Sequence, residues 1–156
     1  MGAINVTGDS FSGDGLAGKP QRAMELALRM EADGADIIDI GAESTRPKGP
    51  VYGQGATFLT VDEELARLLP PLELILSKVK LPVSVDTYKP LVGRHALEMG
   101  VSMLNDVWGL KGNPDMLRLA ADFGVPIVLM HNQANHEYYD LLPDIRDSIQ
   151  AGVTRA

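Results

Sequence analysis

Five short runs of apolar, β-prone residues recur along the chain, and none alternates cleanly between apolar and polar. They are Gly2–Val6, Asp36–Ile40, Leu81–Val85, Val101–Leu104 and Pro126–Met130. A strand with one face in water alternates, whereas a strand covered on both faces does not. The runs therefore predict a buried, parallel sheet, which needs a crossover between every pair of strands. Helical patterns lie between them. Leu65, Leu68, Leu69, Leu72 and Leu76 keep helical spacing within Val61–Lys78, where Thr60 and Glu63 can form a capping box. Gln21–Glu31 and Leu141–Ala151 are further helical segments, and Asn113-Pro114 reads as an N-cap followed by proline at N1. Gly34, Gly100 and Gly124 each end a helical stretch just before a strand, where a left-handed residue stops a helix. The expectation is an α/β fold of about five βα units.

Composition narrows the class. With 45% hydrophobic residues in 156, the chain suits one globular domain. Its net charge of −7, without a basic stripe, argues against nucleic acid as a partner. No apolar stretch approaches the ~20 residues of a membrane span, and no basic segment followed by an apolar one suggests a signal peptide. The absence of cysteine excludes disulfides, thiolate metal sites and cysteine nucleophiles, and fits a cytoplasmic protein. Ala151-Gly152-Val153 repeats the helix–glycine–strand signal and announces a sixth strand, but the sequence stops at Ala156 before delivering it. Truncation is the favoured reading, and a disordered tail is the alternative.

Each apolar run closes on polar residues: Asn5, Asp39, Asp86, Asn105-Asp106 and His131. In parallel α/β folds the C-terminal strand ends share one rim, where ligands bind, so five in five favours a site there over turn formation alone. Two long glycine-rich loops, Thr7–Gly15 and Gly41–Thr60, leave the same rim. Their hydroxyls, backbone N–H groups and Arg46 or Lys48 can grip an anion, or the loops can be solvated turns. Asp86 and Asn105 fall on adjacent strands. A carboxylate beside an amide matches the donor–acceptor edge of a pterin or purine, and helix capping by both residues is an equal alternative. His131 suits either catalysis or a structural hydrogen bond, and Trp108 either walls the site or covers the rim. His95, His131 and His136 lack zinc-ligand spacing.

Taken together, these segments resemble the dihydropteroate synthase family of pterin-binding barrels. Asn5-Val6-Thr7-Gly8-Asp9-Ser10-Phe11-Ser12 resembles the family's Asn-Val-Thr-Pro-Asp-Ser-Phe-Ser. Asp39-Ile40-Gly41-Ala42-Glu43-Ser44-Thr45-Arg46-Pro47, Ser84-Val85-Asp86-Thr87-Tyr88-Lys89 and Asn105-Asp106-Val107 are similar to its next three motifs. The resemblance implies an incomplete TIM (β/α)₈ barrel, a single truncated domain over residues 1–156 with the C-terminal units missing. It implies condensation of 6-hydroxymethyl-7,8-dihydropterin pyrophosphate with p-aminobenzoate, giving dihydropteroate and pyrophosphate in folate biosynthesis. By the same resemblance Asp86, Asn105, Val107 and Met130 hold the pterin, while Phe11, Thr45, Arg46 and Pro47 shape the p-aminobenzoate pocket, which sulfonamides contest. Asn5 contacts Mg²⁺, the implied cofactor, and Asp14, Asp39 and Asp86 are the catalytic carboxylates. The full-length protein would be a homodimer.

The departures are specific. Gly8 replaces a proline, Gly13-Asp14 inverts the usual Asp-Gly order, the second loop is longer, and Trp108 stands where a small residue is common. The family's later half supplies another pterin-binding Asp, a Lys and an Arg-x-His pair. Residues 1–156 alone are therefore expected to show little synthase activity and to self-associate through unclosed sheet edges. A pterin-dependent methyltransferase and a non-catalytic pterin-binding protein are the alternatives, and the lid-loop motifs favour the synthase over the methyltransferase.

Overall fold

Parallel strands returned by helices need glycine stops and a double-sided sheet, and both are present. A computed structural model describes residues 1–7, 15–45, 55, 57–111, 113–133 and 137–156. The elements run β1 (Gly2–Asn5), α1 (Pro20–Ala32), β2 (Ile38–Gly41), α2 (Val61–Lys78), β3 (Val83–Asp86), α3 (Pro90–Glu98), β4 (Met103–Asp106), α4 (Asp115–Phe123), β5 (Ile127–Leu129) and α5 (Leu141–Arg155). Every neighbouring pair is parallel, and the spatial order β1-β2-β3-β4-β5 follows the chain. A doubly wound sheet would reverse its order at a switch point. An unreversed order is one arc of a (β/α) barrel.

The register sorts residues onto two faces, because successive side chains of a strand point to opposite sides. Ile4, Ile40, Val85, Leu104 and Ile127 align in one row, with Ile38 and Val83 in the row before it. This face packs on the helices. Ala23 and Ala27 of α1, Leu68, Leu72 and Ile75 of α2, Val92 and Ala96 of α3, and Met116 and Leu119 of α4 join it in a single core. The opposite face carries Ala3, Asp39, Ser84 and Met103 in one row and Asn5, Gly41, Asp86, Asn105 and Val128 in the next. Those two helix-facing rows are wholly apolar, whereas the interior rows carry Asn5, Asp39, Ser84, Asp86 and Asn105 among Ala3, Gly41, Met103 and Val128.

The helix signals act as expected. Thr60 Oγ1 accepts the Glu63 N–H (3.2 Å) while the Glu63 carboxylate accepts the Thr60 N–H (2.7 Å). Gly34, Gly100 and Gly124 take positive φ of 94°, 108° and 64°, ending α1, α3 and α4. Asn113 Oδ1 accepts the Asp115 N–H at 2.9 Å, so it caps the first turn of α4 one residue outside the helix proper.

The helix stop expected at Gly152 is not there. Residues 151–153 extend α5, which runs to Arg155. Gly152 has no left-handed φ. It is buried, and a Cβ on it would come within 3.2 Å of Leu129 Cδ1. This glycine lets α5 lie close on β5 instead of stopping the helix. Asp144 anchors the other end by accepting the Tyr139 and Asp140 N–H groups at 2.8 and 3.2 Å.

Candidate active site

Strand lengths decide how deep each polar residue sits. Asn5 and Asp86 are the last residues of β1 and β3, and Asn105 is the penultimate residue of β4. All three lie in one row, with Asp86 directly paired to Asn105. Asp39 differs from expectation: β2 continues two residues further, to Gly41, which sets Asp39 one row deeper. Reading the strand end at Asp39 overlooked Gly41, whose missing side chain has a purpose. A Cβ there would lie 3.1 Å from Asp86 Cβ, so glycine opens the space that the Asp86 side chain occupies. His131 lies two residues past β5 rather than at its end; its Nε2 meets the Tyr138 hydroxyl at 3.2 Å.

Asn105 Nδ2 donates to Asp39 Oδ2 at 3.2 Å, reaching across β3. That bond orients the amide and leaves its Oδ1 free of it to face a ligand. The capping alternative for Asp86 and Asn105 is not realised, since Lys89 and Pro114 stand at the N-cap positions of α3 and α4 and neither Asp86 nor Asn105 caps them. Among the described residues, Thr7 Oγ1, Asp39 Oδ1 and Ser84 Oγ are buried without a hydrogen-bond partner. Buried polar atoms left unpaired normally find water or ligand.

The electrostatics sharpen this. Burial pushes the Asp86 carboxyl up to about 7, and the negative charges of Asp39, Glu64, Asp106 and Glu43 add to the push. Asp39 is also raised by burial, with the Ser84 and Asn105 side chains pulling it partway back. Two carboxyls in successive rows of one sheet face, with the Asn105 amide beside Asp86 and bonded to Asp39, form an acceptor-rich floor for a ring carrying N–H donors or developing positive charge.

Val107 follows β4, half-buried, and its carbonyl accepts from Asn132 Nδ2 at 3.1 Å. Met130 follows β5 and is 47% exposed. Thr45 is exposed at the start of the second loop. Phe11, Asp14, Arg46 and Pro47 lie outside the described residues, as do Gly8 and Gly13. The divalent cation that the resemblance implies has a hard oxygen donor in the half-buried Asn5 carboxamide. Among the described residues no three His, Asp or Glu side chains gather to cage an ion. A single protein donor suits Mg²⁺ that keeps its waters and is shared with phosphate, so the residues fit in that sense.

Two features lay beyond the sequence reading. Asp106 is fully buried, and its carboxylate accepts the Trp108 and Leu110 N–H groups at 2.9 and 2.7 Å. It shapes the β4 rim turn and points away from the site face. Glu43, Glu64, Thr87, Tyr88 and Lys89 form a buried network beside the site. Acidic residues in a loop and on an amphipathic helix carry no sequence signal that they will meet.

The sequence pattern of the pterin-binding-enzyme family matches residues 1–156 in full. The chain belongs to that family. Among its relatives, the dihydropteroate synthase of Bacillus subtilis is 46% identical over 153 residues, covering 98% of this chain and 51% of that protein. The Xanthomonas albilineans dihydropteroate synthase solved with 4-aminobenzoic acid superposes with a TM-score of 0.83 at 41% identity, covering 99% of this chain and 54% of that one. The Yersinia pestis dihydropteroate synthase in complex with a sulfonamide drug gives 0.87 at 37%, covering 99% and 56%. The chain thus spans about half the length of the proteins it matches. No helix among its described residues is long and apolar enough to cross a membrane.

Proposed function

We propose that residues 1–156 supply the pterin floor of a dihydropteroate synthase, joining dihydropterin pyrophosphate to p-aminobenzoate with release of pyrophosphate. The observation that carries this reading is the Asp86–Asn105 pair, register-matched on the barrel face and backed by Asp39. Asp86 accepts N–H donors of the pterin edge as a carboxylate, while Asn105 Oδ1 and its second N–H complete the match. In the reaction the C–O bond to pyrophosphate breaks, a C–N bond to the arylamine forms, and the amine loses a proton. Positive charge develops on the pterin as the leaving group departs, and the Asp39 and Asp86 carboxylates lie on the face below it. Asn5 would hold Mg²⁺, which when bound offsets the leaving group's charge.

The lid roles follow the resemblance. Phe11, Thr45, Arg46 and Pro47 frame the arylamine, sulfonamides compete there, and Asp14 is the loop acid. Loop closure over the rim excludes water as a rival nucleophile. The acidic charge supports small-molecule substrates over nucleic acid, and a cysteine-free sequence suits the cytoplasm. A homodimer is part of the same proposal.

The test is turnover by a full-length protein containing this segment, with Asp86→Asn as the comparison. Dihydropteroate formation by the parent and a loss of at least about 100-fold in the variant would support the proposal. No dihydropteroate from the parent would refute it.

A further inference from the structure

We propose that Lys89 is a positioning residue for the arylamine side of the site: with Glu43 and Glu64 it forms a clasp that ties the two ends of the second loop together. The functional part of this inference rests on the synthase reading; the clasp itself does not. Glu43 stands two residues beyond β2, and Glu64 lies in the first turn of α2. Both are buried, Glu64 to 1% exposure. Buried carboxylates must be paired.

Lys89 Nζ donates to both, bonding Glu43 Oε2 and, at 2.6 Å, Glu64 Oε2. Each remaining carboxylate oxygen is also used. Glu43 Oε1 accepts the Tyr88 hydroxyl at 2.8 Å, and Glu64 Oε1 accepts the Thr87 hydroxyl at 2.8 Å. The Lys89 N–H donates back to Thr87 Oγ1 at 3.2 Å. The decisive bond is from the Leu59 N–H to Glu43 Oε2, at 3.2 Å. Leu59 immediately precedes the α2 cap Thr60, so one carboxylate at the loop's entry holds its exit, 16 residues later in the chain. The Tyr88 ring then meets Trp108 edge-on at 6.4 Å, extending the clasp to the β4 rim. Thr45, two residues after Glu43 in the chain, is exposed.

The same geometry excludes another role. A lysine at a strand-end rim is an obvious phosphate ligand, but this one is shared by two carboxylates and its side chain is only 14% exposed. Its ammonium also sits 5.0 Å from the Tyr88 ring centroid. Lys89 is committed to the loop base.

The experiment uses a full-length protein with two readouts, hydrogen exchange at the Leu59 amide and steady-state kinetics for each substrate. Lys89→Met should speed Leu59 exchange at least tenfold while β3 amides keep their protection. It should raise KM for p-aminobenzoate about tenfold and leave KM for the pterin pyrophosphate within twofold, with Lys89→Arg restoring both. Lys89→Met strands two buried carboxylates, so Tyr88→Phe, which removes one bond to Glu43, serves if that variant does not fold. It should shift both readouts the same way by a smaller factor. Unchanged Leu59 exchange in the folded variant overturns the clasp. Faster exchange with equal rises in both KM values overturns the positioning role. A parent that makes no dihydropteroate fails the synthase reading, while the exchange readout still decides the clasp.

Discussion

Asp86 concentrates the tension between folding and function in one side chain. Its folded-state pKa of about 7 lies above the ordinary 3.8, because the carboxyl is buried among other acids. The folded chain therefore keeps a proton that the unfolded chain releases. Asp86 is harmless to stability below about pH 4, and its contribution becomes unfavourable as pH rises to about 7. Asp86→Asn should raise stability at pH 8 by about 2–4 kcal/mol, and the gain should shrink by pH 5. Melting temperatures at the two pH values check this, and an equal shift at both would contradict it. A residue that weakens the fold where its partners leave it unpaired is placed for a ligand.

At the scale of elements, most of the fold could be read in advance because its signals are local. Apolar runs, helical spacing, the Thr60–Glu63 box and the glycines at 34, 100 and 124 are each decided within a few residues. Gly152 departs from expectation because the same helix–glycine signal serves two ends: a left-handed stop, or room for a helix to approach a strand. Only the packed partner, Leu129, tells them apart. Asp39, Asp86 and Asn105 were legible as strand-end polars, but their depth depends on how far β2 runs. The Glu43–Lys89–Glu64 clasp was not legible, since its members come from three elements. The β4 rim adds a prediction. Gly109 has φ 58°, and a Cβ there would fall 2.3 Å from the Met130 carbonyl oxygen. Gly109→Ala should cost at least about 2 kcal/mol, combining left-handed strain with the clash. Chemical denaturation checks it, and an unchanged midpoint would contradict the packing of these two rims.

On the scale of the whole molecule, the five strands among the described residues make an arc whose edge strands are β1 and β5. Val128 and Met130 stand exposed at 38% and 47%, while the helix-facing side is filled. Paired edges and a covered face are the usual condition for a solitary parallel sheet. Residues 1–156 expressed by themselves should self-associate with concentration in sedimentation velocity; a single monomeric species up to high concentration would contradict this. The central claim is that Asp86 and Asn105 receive a pterin edge. Calorimetric titration of a full-length protein with a pterin lacking the pyrophosphate, at pH 6 and pH 8, tests it most directly. Because donors from the ring favour the Asp86 carboxylate, affinity should be about tenfold weaker at pH 6 than at pH 8, with proton release on binding at pH 6. Asp86→Asn should weaken binding at least about 100-fold at pH 8. Equal affinity at both pH values, with the variant binding as tightly as the parent, would contradict the account.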